Sequence, residues 1–132
     1  MSWTNLLQNA QSIEAIFGRV PSLEKAQIRE IVFNEDGPTT LLRLDLSEFP
    51  EKPPEKWKRL GYNRVQLRLL CLGVKSVKHD GWGTNNTADI VLSANSLGGL
   101  RLLTEGGLPR LTVEFDVLLV DGVSGYRDEA HD

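Results

Sequence analysis

Leu111-Thr112-Val113-Glu114-Phe115-Asp116-Val117-Leu118-Leu119-Val120 is the stretch on which the fold turns. Leu111, Val113, Phe115, Val117 and Leu119 fall on one side of a period of two, with Thr112, Glu114 and Asp116 opposite, which is the pattern of a strand with one buried and one wetted face. Leu118 and Val120 make its far half apolar on both faces. The segment is therefore expected as one long strand lying inside the fold rather than at its edge.

Working back towards the N-terminus, further strands are expected around Asp89 to Ser93 and Leu100 to Leu103, separated by the glycine pairs Gly98-Gly99 and Gly106-Gly107. Val65, Leu67, Leu69 and Cys71 alternate on one face, so Cys71 should be buried with them. That strand is expected to run on through Val74 and Val77 to a loop, His79-Asp80-Gly81-Trp82-Gly83. Ile31 and Phe33, then Leu42, Leu44 and Leu46, flank the turn signal Asn34-Glu35-Asp36-Gly37-Pro38 and predict a hairpin. Between the hairpin and the next strand, Phe49-Pro50-Glu51-Lys52-Pro53-Pro54-Glu55-Lys56-Trp57 carries three prolines, which fix φ and remove backbone donors. It is expected to be a stiff surface excursion without regular helix.

At the front of the chain Trp3, Leu6, Leu7, Ala10, Ile13, Ile16 and Phe17 recur at three- and four-residue spacing, which predicts a single amphipathic helix. Ser2 or Thr4 could cap it, and Gly18 with Pro21 would end it. About seven β segments behind one helix predict an α+β domain: mainly an antiparallel β-sandwich or open barrel, with the N-terminal helix packed on it. A single domain is expected over residues 1–126, followed by a polar tail over 127–132.

The chain has 132 residues, 15 basic and 18 acidic, for a formal charge of −3. That balance lacks the cationic excess that phosphate backbones require, so nucleic acid is not an expected ligand. Cys71 is the only cysteine, which excludes an internal disulfide and a thiol metal cluster and points to a reducing compartment. The N-terminus lacks a basic region and an unbroken apolar run, so no signal peptide or membrane span is expected, and the cytoplasm is the expected location.

No catalytic set stands out. His79 is followed by Asp80, but a lone loop histidine is usually just solvated, and His131 lies in the polar tail. Neither Gly81-Trp82-Gly83 nor Gly98-Gly99 leads into a phosphate-binding loop, and Gly122-Val123-Ser124-Gly125 is one residue short of a nucleophile elbow. Asn85-Asn86-Thr87 matches a glycosylation sequon, which carries no meaning without secretion. Asp45, Glu114 and Asp116 alternate with core positions and are expected to face water. No catalytic residue, metal ligand or cofactor is assigned, and the chain is read as a binding protein rather than an enzyme.

Trp57, Tyr62 and Trp82 lie outside the alternating pattern, where aromatic residues serve either as interface anchors or as plugs closing the ends of a sheet. The expected partner-binding residues are Glu51, Glu55, Trp57, Asp80 and Trp82, two loops combined into an aromatic patch with an acidic rim. The alternative surface is the polar sheet face around Arg43, Asp45, Arg68 and Glu114.

Trp3, Phe17-Gly18 with Pro21-Ser22-Leu23, Asp36-Gly37-Pro38, Pro53-Pro54-Glu55-Lys56-Trp57, Asn63-Arg64-Val65-Gln66-Leu67, Gly81-Trp82 and Tyr126 occur in that order. In this the chain resembles the immunity protein 50 family of bacterial polymorphic toxin systems. The resemblance implies a cytoplasmic protein that binds and neutralises its cognate toxin domain without catalysis. It carries over no contact residues, so the sites above rest on the residues alone. Two other readings stay open: a small hydrolase using His79 and Asp80, and a carbohydrate-binding β domain stacking a sugar on Trp57 or Trp82.

Overall fold

The computed structural model describes residues 3–96 and 98–130, apart from the side chain of Ser12. Ser2 as a helix cap and His131 in the tail lie outside the described residues. The chain forms an open, eight-stranded antiparallel sheet with a few short helices, an α+β arrangement. The strands are β1 (Ala26–Asn34), β2 (Thr39–Asp45), β3 (Arg64–Leu72), β4 (Ser76–Asp80), β5 (Thr87–Ala94), β6 (Leu100–Glu105), β7 (Arg110–Phe115) and β8 (Val117–Tyr126). Their spatial order is β4-β7-β6-β5-β1-β2-β3-β8.

The expected long strand is in fact two. It breaks at Asp116, so that β7 pairs with β4 and β6 while β8 pairs with β3 on the other flank of the sheet. The strand paired with it breaks at the same level: Gly73, at φ 69°, separates β3 from β4, a conformation that glycine adopts without steric cost. Across the bend Asp116 N–H donates to Leu72 O at 2.9 Å and Lys75 N–H to Glu114 O at 2.8 Å. One bent ribbon, β3-β4 with β7-β8, thus joins the two flanks. The buried phase shifts across the bend, from Leu111, Val113 and Phe115 in β7 to Leu118 and Val120 in β8, so Val117 and Leu119, expected on the buried face, are only half-buried.

β8 consequently ends the sheet instead of lying inside it, and the N-terminal segment covers its free edge. Leu7 bridges Leu118, Gln8 N–H donates to Leu118 O, and the Asn9 amide bonds both the N–H and the C=O of Val120 at 2.9 Å. This strand-like contact interrupts the expected single helix. Trp3–Leu6 forms a 3-10 turn, and only Gln11–Phe17 is α-helical (α1), ended by Gly18 at φ 66°. Ile13 and Phe17 of α1 are buried in the core.

The proline-rich excursion does contain a helix, contrary to expectation. Glu55–Arg59 forms α2, with Pro54 at its N-cap, where the missing N–H has no intrahelical acceptor to lose. Cys71 is fully buried with Val65, Leu67 and Leu69, as its phase requires. Burial pushes its thiol pKa up to about 12.

Candidate functional site

The β1–β2 hairpin sets up the site through a bulge. Gln27 faces Asp45 and Ile28 faces Leu44, but Glu30 faces Arg43, so Arg29 is the extra residue. Before the bulge Ala26 and Ile28 point into the core. After it the inward phase passes to Ile31 and Phe33, which lie opposite the buried Leu42 and Thr40. On β4, Val77 and His79 lie opposite the buried Val113 and Leu111, so they occupy the inner face as well. Inner-face positions normally meet another element. Here Phe33 is 50% exposed and Val77 39% exposed, because β4 is an edge strand and the sheet is open beside it.

Trp82 completes the cluster. It is 50% exposed, and its ring centroid lies 6.4 Å from that of His79, which in turn lies 6.5 Å from Phe33 in an edge-on arrangement. Ile31, Phe33, His79 and Trp82 line a cavity of ≈ 180 Å³. A neighbouring one of ≈ 350 Å³ runs from Phe33 to Val74 and Val77, with Glu35 and Pro38 on its wall. The Trp82 loop is held in place by Asn86, which is buried and exchanges hydrogen bonds of 2.8 Å with the N–H and C=O of Gly83. Gly81, at φ 83°, lets the chain turn against Leu108, where a Cβ would meet Cδ2 at 2.7 Å. Exposed aromatic residues on such a braced frame can take up a partner with little ordering cost.

His79 and Asp80 end β4 rather than lying in a loop. Asp80 is held by Arg110, with Nη2 at 2.7 Å and Nε at 3.2 Å. The Arg110 guanidinium, first by these bonds and then by its charge, depresses the carboxyl below its ordinary value. His79 makes its ring contacts with Phe33 and Trp82. Among the described residues no group of three His, Cys, Asp or Glu side chains could hold a metal ion.

The other residues expected to bind a partner lie elsewhere. Trp57 is 9% exposed and packs as a plug between Phe49 and Tyr62, over Gly125, whose added Cβ would meet its Cδ2 at 2.7 Å. Glu55 is exposed on the first turn of α2, and Glu51 stands beside Ala15–Arg19 at the end of α1. The two loops expected to combine thus make their contacts with different parts of the fold. In the sequence Phe33, Ile31 and Val77 read as ordinary core, because alternation carries no sign that β4 lies at an open edge beside them.

Asp45 is the second departure, since it is fully buried instead of facing water. Its Oδ2 accepts from Arg29 Nε at 2.6 Å and Tyr126 Oη at 2.6 Å, with Arg64 Nη2 at 3.4 Å. Burial, then the hydrogen bond to Asp45, raises the Tyr126 pKa. The bulge at Arg29 is what aims that side chain at Asp45. Asn63 and Asp128 exchange two further hydrogen bonds, which anchor the chain beyond β8. The cluster is a structural lock, and it removes Asp45 from any exposed sheet surface.

No helix is long and apolar enough to cross a membrane among the described residues. No curated protein and no solved structure matches the chain. The family model for immunity protein 50 does match, over residues 9–126, from the Asn9 that closes the β8 edge to the Tyr126 that bonds Asp45. The chain belongs to the immunity protein 50 family.

Proposed function

We propose that this protein is a cytoplasmic immunity protein that binds and neutralises the toxin domain of a bacterial polymorphic toxin, acting by occupancy and not by catalysis. Family membership across most of the chain carries this reading. The aromatic cleft supports it, because a contiguous exposed cluster of Phe33, His79 and Trp82 is what a protein interface uses for anchors. Asp80 and Trp82 serve at this interface, with Asp80 and Arg110 as its polar rim. Trp57 acts through the fold, and Glu51 and Glu55 could at most extend the contact from α2 and the end of α1.

Co-expression with the toxin domain encoded by the neighbouring gene tests the proposal. Growth should be restored by the wild-type chain and lost when Trp82 and Phe33 are both replaced by Ala. Continued growth arrest with the wild-type chain would refute immunity.

A further inference from the structure

We propose that the toxin domain is captured by strand addition: an extended segment of it pairs with the free edge of β4 and places alternate side chains in the cleft. This rests on the immunity reading and adds the chemistry and geometry of the contact.

The two ends of the sheet are treated differently by the chain. At β8 the free edge is closed by residues 7–9, with the Asn9 amide imitating a backbone partner. At β4, whose five residues are all exposed, β7 is the one neighbouring strand among the described residues. An edge strand presents unpaired N–H and C=O groups on every second residue, ready for another strand. Lys78 and Asp80 discourage indiscriminate pairing, and Asp80 is itself held by Arg110.

The cleft supplies what backbone pairing lacks, which is selectivity. A strand added to β4 would direct every second side chain towards the inner face, where Val77 and His79 already lie. Phe33 borders both cavities, of ≈ 180 Å³ and ≈ 350 Å³; the smaller is walled by Ile31, His79 and Trp82, and the larger offers Val74, Val77 and Pro38 beside polar residues. Two apolar side chains two residues apart would fill them. Glu35 lines the larger cavity and Asp36 follows it at the hairpin tip; among the described residues neither makes an ion pair, so their charge is uncompensated. The occupant is therefore an extended toxin segment with alternating large apolar residues and a Lys or Arg near the hairpin tip.

The test uses the intact chain and a catalytically inactivated toxin domain from the neighbouring gene. Amide exchange should slow by about tenfold or more at alternate residues of 76–80 when the domain is added. Val77→Pro and Lys78→Pro separate the two backbone phases, since one of these N–H groups faces β7 and the other the free edge. The proline that leaves the melting temperature unchanged should weaken binding by at least about 30-fold. Glu35→Lys should weaken it as well, and more so at low salt. Calorimetric binding with unchanged exchange over 76–80, or full affinity in the stable proline variant, would overturn strand addition while leaving immunity intact. Dimerisation through β4 that excludes the domain would also overturn it. A complete lack of binding would overturn the immunity reading and this inference together.

Discussion

Asp45→Ala removes the carboxylate on which Arg29, Arg64 and Tyr126 converge. Asp45 is fully buried and the Arg64 side chain is 9% exposed, so the variant leaves a guanidinium in a poorly solvated place without its counter-charge. Breaking a buried pair by deleting one partner costs about 3–5 kcal/mol. That is a large part of the total stability of a domain, which is ~5–15 kcal/mol. With a urea m-value of about 2 kcal/mol/M, the unfolding midpoint should fall by roughly 2 M. Tyr126→Phe deletes one hydrogen bond to a charged acceptor and should cost only about 1.5–3 kcal/mol. Because both changes act on the same oxygen, the double variant should lose clearly less than the sum of the two. Urea titration followed by tryptophan fluorescence measures all three. A midpoint for Asp45→Ala within about 0.3 M of the parent would refute the reasoning, since it would mean that solvent and the remaining acceptors, Gln27 Oε1 among them, satisfy Arg64 without the carboxylate.

Four further outcomes follow from the same structure. Cys71 has its pKa raised from 9.0 to about 12, so its contribution is fully present below pH 9 and is lost as pH rises towards 12; the stability difference between wild type and Cys71→Ala should shrink by about 1.4 kcal/mol between pH 8 and pH 10, measured by urea unfolding at each pH. Gly125→Ala drives a methyl group to 2.7 Å from the Trp57 ring and should destabilise by about 1–3 kcal/mol, with a change in tryptophan emission. Trp82→Ala, at an exposed position, should alter the melting temperature little, its stability change staying within about 0.5 kcal/mol, yet cost about 2 kcal/mol or more in calorimetric binding of the toxin domain. Asn9→Ala withdraws two hydrogen bonds from Val120 and should lower stability by about 1–2 kcal/mol while speeding amide exchange in β8.

Local patterns in the sequence determined the β-rich α+β class, the hairpin around Gly37, the end of α1 at Gly18 and the burial of Cys71. Each depends on side-chain period or on the φ preference of a single residue, so no distant part of the chain is needed to read it. Other features were decided by contacts between segments far apart in the chain. Asn9 meets Val120 across 111 residues and breaks the N-terminal helix. The paired bends at Gly73 and Asp116 turn one long strand into two and carry it from one flank of the sheet to the other. The bulge at Arg29 reverses the inward phase of β1, aiming Arg29 at the buried Asp45 and turning Phe33 to the inner face beside His79, which contacts Trp82. Asp80 and Trp82 could be picked out as unusual from the sequence, but the cleft they border could not. Whether an alternating apolar residue is core or interface depends on which element lies opposite it, and that is fixed only by the strand order that leaves β4 at an edge of the sheet.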